Sequence, residues 1–130
     1  MASQLGFDGL TMTPGKSDCP KLTKAGVEIS VRPELVLHGV DRMGKGFVGA
    51  LKLHISKSFP LDEKAGEYVG TMVHEFADTH LTGLANCNYR HCYVLDVFAG
   101  KLIGAPKNFT RRRSDVEAAC EEIAILWKSI

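Results

Sequence analysis

Ala65-Gly66-Glu67-Tyr68-Val69-Gly70-Thr71-Met72-Val73-His74-Glu75-Phe76-Ala77-Asp78-Thr79-His80 is the stretch that decides the fold. Ala65, Tyr68, Val69, Met72, Phe76 and His80 recur at three- and four-residue intervals, so they fall on one arc of a helical wheel. The spacing predicts an amphipathic helix over 61–81. Asp62 and Glu63 suit its positive N-terminal end, and Gly83 is placed to end it. Everything around this helix has the two-residue period of strands or the composition of turns.

Upstream, Val27, Ile29 and Val31 alternate with Glu28, Ser30 and Arg32, the pattern of a half-buried strand that Pro33 ends. Leu35 to Val40 reads as a second strand, and Asp41 to Gly46 as the turn after it. In the third strand Phe47, Gly49, Leu51, Leu53 and Ile55 share one face, and Val48, Ala50, Lys52, His54 and Ser56 share the other. One face is expected to be buried and one wet. Downstream, 82–91 reads as a loop. Cys92 to Phe98 and Lys101 to Ala105 flank Ala99-Gly100 as a hairpin. Ser114-Asp115-Val116-Glu117 has capping-box spacing and predicts the start of a last helix, with Val116, Ala119, Cys120, Ile123, Trp127 and Ile130 as its apolar stripe.

The order βββαββα predicts an α+β two-layer sandwich: a mostly antiparallel sheet of about five strands with two helices packed on one face. Residues 1–24, rich in Gly, Pro, Ser, Thr and Lys, are read as an irregular N-terminal arm, and 25–130 as a single α+β domain. A chain of 130 residues is long enough to bury its own core without staples. Cys19, Cys87, Cys92 and Cys120 have no C-x-x-C spacing and are expected as reduced thiols in a soluble, cytoplasmic protein. Met1 to Leu10 lacks the pattern of a secretory signal.

The formal net charge of +1 excludes a surface coated for polyanions, but the charge is uneven. Residues 61–100 carry two Lys/Arg against six Asp/Glu, whereas 1–60 carry eight against five and 101–130 six against four. An acidic middle therefore separates two mildly basic ends. The wheel puts His74 and Asp78 with Glu63, Glu67, Thr71 and Glu75 on the polar arc, which reads as a solvated acidic face.

That arc contains His74-Glu75-Phe76-Ala77-Asp78, which resembles the H-E-x-x-H helix of zinc proteases over about six residues, with Asp78 standing where the second histidine would be. The resemblance implies a metal-dependent hydrolase in which His74 and Asp78 hold the metal beside Glu75. A second group of donors lies nearby. His80, Cys87, His91 and Cys92 fall within thirteen residues, so zinc is the cofactor that the set His74, Asp78, His80, Cys87, His91 and Cys92 brings into question. Adjacent His91 and Cys92 at a strand start are expected to face opposite ways.

Lys101, Lys107, Arg111, Arg112 and Arg113 form a run without an acid, ending at a helix N-terminus. Lys107 and Arg111 to Arg113 are thus candidates for gripping nucleic-acid phosphates, with salt bridging to the acidic helix as the competing use. No nucleotide-binding loop and no apolar run long enough for a bilayer occurs, so no membrane partner is expected. No catalytic residues are assigned. The reading that best fits the sequence is a non-enzymatic protein-binding or regulatory module, acting through its surface and as a homodimer. The supports are the opposed charge patches, a free sheet face bearing Arg32, Lys52 and His54, and Ile125 on the polar side of the last helix.

Overall fold

The computed structural model describes residues 10–83 and 85–129. Its elements are β1 (Thr11–Pro14), β2 (Leu22–Lys24), β3 (Val27–Ile29), β4 (Leu35–Val40), β5 (Gly46–His54), α1 (Glu63–His80), β6 (Asn86–Asp96), β7 (Lys101–Gly104) and α2 (Phe109–Ser129). Five strands form one mixed sheet in the order β1-β4-β5-β6-β7, and β2 pairs with β3 in a separate two-stranded sheet. Within the large sheet β5 and β6 run parallel, and the other neighbours are antiparallel. The parallel pair follows from α1, which carries the chain back across the sheet between them.

This is the α+β sandwich that the pattern predicts, with four local differences. Asn86 to His91, expected within a loop over 82–91, form the first half of β6, which the bulge opposite Gly49 interrupts. Residues 11–24, expected as an irregular arm, supply the edge strand β1 and the first strand of the β2–β3 hairpin, whereas 1–9, with Leu5 and Phe7, lie outside the described residues. The strand expected over 27–32 stops at Ile29. It pairs only with β2 across the two-residue turn Ala25-Gly26, where both residues have positive φ (53° and 82°), as a tight hairpin turn requires. Helix α2 begins at Phe109, before the Ser114 box. There the Asn108 carbonyl accepts the Arg112 amide at 3.3 Å, and the Ser114 hydroxyl donates to the Thr110 carbonyl within the helix. The expected apolar stripe on α2 is buried only in part: Cys120 is covered, Ile123 and Trp127 are exposed, and Ile130 is outside the described residues.

Helix α1 starts where its sequence says it should. The Asp62 carboxylate accepts the Ala65 amide at 2.7 Å, closing the first turn. The fully buried Asp96 at the end of β6 ties down the segment ahead of it, accepting the amides of Leu61 (2.9 Å) and Ala99 (3.2 Å). Those amides, Leu61's foremost, hold its carboxyl below the usual carboxylate range. The apolar arc of α1 then packs on the sheet. Val73, Phe76 and Ala77 share a core with Ala50, Cys92, Ala105, Leu22 and Val31. Helical glycine is intrinsically unfavourable by about 1 kcal/mol. Gly66 and Gly70 nonetheless let the helix lie close to β7, because a Cβ at Gly66 would meet the Ile103 side chain and one at Gly70 the Ala105 backbone.

The faces of β5 are assigned by this core. Ala50 looks toward α1, so Lys52 and His54 follow it on the helix side, whereas Gly49 and Leu51 look the other way. The expected free face bearing Arg32, Lys52 and His54 is therefore not formed. Lys52 Nζ is held by the Arg32 carbonyl (3.1 Å) and Glu34 (3.0 Å), and His54 Nε2 bonds the Phe59 carbonyl at 2.7 Å. Leu51 and its neighbour Leu37 are buried on the opposite face. Helix α2 packs chiefly against α1 and the β2–β3 hairpin, so it reaches the sheet layer through them.

Strand β6 carries one irregularity that the site depends on. Val48 of β5 pairs with Cys87 and Ala50 with Cys92, so Gly49 alone faces the bulge Asn88-Tyr89-Arg90-His91. Its ladder-side backbone presses on Gly49, where a Cβ would meet the His91 carbonyl far inside contact distance. Gly49→Ala is expected to destabilise the fold by about 2 kcal/mol or more through this overpacking, seen as a lower urea midpoint, whereas Gly83→Ala, with open space around it, leaves the midpoint in place.

Candidate thiol site between α1, β6 and α2

In a regular strand Cys87 and Cys92, five residues apart, would point to opposite faces and stand about 16 Å apart. The bulge removes this separation. It turns both side chains toward α1 and brings their sulfurs to 3.7 Å. Asn88 shapes the turn, its side-chain oxygen accepting the Arg90 amide (3.0 Å) and its carbonyl lying 3.6 Å from the Cys92 sulfur. Cys92 is wholly buried in the core, and Cys87 is half-buried.

His74 stands over Cys87 from α1. The Cys87 thiol donates to the His74 carbonyl at 4.0 Å, and the His74 imidazole nearby favours its ionised form. The imidazole is buried, packed edge-on against Phe109 (4.4 Å between centroids) and Tyr89 (6.2 Å). An Arg113 guanidinium nitrogen donates to its Nδ1 at 3.1 Å. Because arginine only donates, Nδ1 is the acceptor here and the ring proton sits on Nε2.

The polar arc of α1, expected to be a solvated acidic face, is covered in its middle by the first turns of α2, with Glu63 and Asp78 left exposed at its ends. His74 and Thr71 are buried. Glu67 pairs with Arg112 at 3.1 Å, and that guanidinium also lies over the Tyr68 ring. Glu75 forms ion pairs with Lys24 at 2.8 Å and Arg113 at 3.5 Å, while Asp78 pairs with Arg113 at 3.7 Å. Carboxylates on one helix and arginines on the next thus neutralise each other where α1 and α2 meet. The wheel could not foresee a second helix over this arc, because nothing on α1 itself announces it.

His74 and Asp78 border a cavity of about 380 Å³, lined also by Cys87, Asn88, Tyr89 and Phe109. Asp41 and Lys45 of the β4–β5 turn complete it with one charge of each sign. The chemistry centres on Cys87. Its thiol is lowered from 9.0 to about 6, chiefly by the hydrogen bond from Cys92 and further by His74, against the opposing effects of burial and of Asp78. Cys92 moves the other way, because its proton is held by the charged Cys87 sulfur and because it is buried.

The residues proposed from the sequence for metal binding divide into two sets. His74, Asp78 and Cys87 line the cavity, and Cys92 lies against Cys87 behind it. His80 packs instead on Phe76 and lines a separate cavity with Cys19, and His91 stacks on Phe47 at 4.5 Å. The His91 ring is pushed toward its neutral form by burial and by Arg90. Among the described residues no three His, Cys, Asp or Glu side chains are arranged to hold a metal ion. Of the candidates for nucleic acid, Arg112 and Arg113 are engaged with α1, whereas Lys107 and Arg111 are exposed.

Tyr89, Phe109 and the pairing of the two thiols were not foreseen. The available signal was Asn88 between two cysteines in a strand facing a glycine, which marks a bulge only once the partner strand is known. No helix among the described residues is long and apolar enough to cross a membrane. Compared with protein-family models, curated proteins and solved structures, the chain matches none.

Removing the carboxylate of Glu75 leaves two cations facing each other in the α1–α2 contact. Glu75→Ala is expected to destabilise by about 2–4 kcal/mol. The paired change Lys24→Met with Glu75→Leu is expected to cost much less, and thermal unfolding of the three proteins checks both statements.

Proposed function

We propose that the protein performs covalent thiol chemistry, with Cys87 as the nucleophile toward a small polar ligand held in the adjoining cavity. One observation carries the reading: the half-buried Cys87 lines a cavity of ligand size, with the Cys92 sulfur 3.7 Å from its own and His74 beside it. Thiolate is the reactive form. A thiol lowered to about 6 is about nine-tenths ionised at neutral pH, whereas an ordinary cysteine is only a few per cent ionised. Tyr89 and Phe109 supply apolar walls, and Asn88, Asp41, Lys45 and Asp78 supply polar and charged contacts of both signs.

In this arrangement His74 holds the thiolate as a hydrogen-bond donor. Arg113 occupies Nδ1, and the proton left on Nε2 makes the ring a donor at its other nitrogen. The donor role suits attack by a preformed thiolate and requires no base to activate a neutral thiol. The hydrolase reading built on His74, Glu75 and Asp78 has less support, since Glu75 is engaged with Lys24 and Arg113.

The test is the pH dependence of alkylation by iodoacetamide, followed at Cys87 by peptide mass. The rate at Cys87 is expected to rise through about pH 6 and level off by about pH 8. In His74→Ala or Cys92→Ala the rise moves to higher pH, because a donor to the thiolate is lost. The lowered value also favours the folded state as pH rises between about 6 and 9, since the unfolded thiol holds its proton there. A Cys87 rate that climbs only above pH 8, like a free cysteine, contradicts the proposal.

A second reading has its own observation. Ile123, Ile125 and Trp127 are 49%, 67% and 77% exposed on the last turns of α2, beside a groove formed with Ala25, Gly26 and Val27. These turns support a protein-binding surface whose partner is a second copy of the chain. Light scattering at rising concentration is expected to show dimers that Trp127→Ser returns to monomers; a monomer at every concentration removes this reading.

A further inference from the structure

We infer that Cys92 is the resolving partner of Cys87 and that the substrate is a small-molecule disulfide, reduced by the pair in a two-thiol exchange. The inference rests on the nucleophilic role of Cys87, and four features extend it.

The first is distance. The sulfurs are 3.7 Å apart, and a disulfide bond of about 2.05 Å needs the two to close by less than the width of one atom. They are close only because the bulge of β6 places Cys87 and Cys92 on one face. The second is access. Cys87 lines the cavity, whereas Cys92 is wholly buried behind it with Ala50 and Val73, so the inner thiol meets Cys87 and not the ligand. This fixes the order of events, with the outer sulfur attacking first.

The third is charge. The thiol of Cys92 is pushed up chiefly by its hydrogen bond to the Cys87 sulfur. When Cys87 is tied up in a mixed disulfide it is no longer an anion, so the restraint on Cys92 is lifted at the step that needs it. The fourth is chemical choice. A hydrolytic or acyl-transfer cycle has no use for a second thiol within reach of the nucleophile, which would intercept the acyl group. With a disulfide substrate the same second thiol releases the mixed disulfide.

Written out, the Cys87 thiolate attacks one sulfur of R–S–S–R. The bond between the substrate sulfurs breaks, a Cys87–S–S–R bond forms, and RS⁻ leaves and takes a proton from water. Cys92 then attacks the Cys87 sulfur, its proton passing to the second departing RS⁻, and the Cys87–Cys92 disulfide forms. The substrate gains two electrons and becomes two thiols, and the cysteine pair is oxidised. An external dithiol reductant closes the cycle. A cavity of about 380 Å³ is in the size range that accepts a small disulfide.

The test uses the full chain carrying Cys19→Ser, which removes the half-buried thiol outside the site, and bis(2-hydroxyethyl) disulfide as probe. The reduced protein is expected to lose two hydrogens in mass, with peptide mapping locating a Cys87–Cys92 bond and two equivalents of mercaptoethanol released. With Cys92→Ser or Cys92→Ala the reaction stops at one equivalent, leaving mercaptoethanol attached to Cys87, and release of the second slows by about a hundredfold or more. Cys87→Ser gives no adduct at Cys92. If the protein with both thiols instead accumulates the mixed disulfide at Cys87, the resolving role is overturned while the nucleophile stands. If neither form is modified at Cys87, the nucleophile itself is overturned. Insulin reduced as fast as the small probe overturns the substrate class. Mapping of the protein with both thiols decides the matter even where the Cys92 variants fold poorly.

Discussion

The structure depends on α1 being buried on two sides at once. Its apolar arc is set on the sheet by ordinary burial. Its other arc carries Glu67, His74, Glu75 and Asp78, and it can be covered only because Lys24, Arg112 and Arg113 arrive with matching charge. Burying any of these groups alone would be strongly unfavourable. Together they turn an acidic helix face into a seam that holds α2 and the β2–β3 hairpin against the sheet layer, and the same seam puts Phe109 and Arg113 against His74.

A second constraint acts at a single glycine. The bulge in β6 lies so close to Gly49 that no side chain fits there, and this bulge alone brings Cys87 beside Cys92. Strand irregularities of this kind re-aim side chains near sites. Here one thiol faces a cavity that His74 also lines, and the other lies behind it. The buried seam and the bulge therefore converge on one sulfur atom, and the acidity of Cys87 follows from the donors that they place around it.

Much of the architecture was legible because it rests on local pattern. The period of Tyr68, Val69, Met72 and Phe76 marks α1, Asp62 marks its start, and strand patterns mark β4, β5 and the hairpin from Cys92 on, whereas Asn86 to His91 read as loop because the bulge breaks the strand's alternation. The start of α2 was misplaced at Ser114 because helix formation at Phe109 to Arg113 is supported by carboxylates on another element. The sheet faces were misread for a related reason. Small Ala50 was the core side of β5, and the larger Leu51 packs on the opposite face, so residue size gave no guide to direction. In the site, the residues His74, Asp78, Cys87 and Cys92 were picked out, but as donors to a metal, with His80 and His91 among them. Only His74, Asp78 and Cys87 share a cavity, with Cys92 buried beside Cys87.

By itself the sequence determined the α+β class, the position of α1 and the presence of thiols and imidazoles within a short span, since propensity and periodicity act between near neighbours in the chain. The tertiary structure alone decided that the polar arc of α1 would be an interior seam and that two cysteines five residues apart would become a pair. Both outcomes arise from contacts between distant segments, Arg113 with Glu75 and Gly49 with His91, and such contacts leave no period in the sequence.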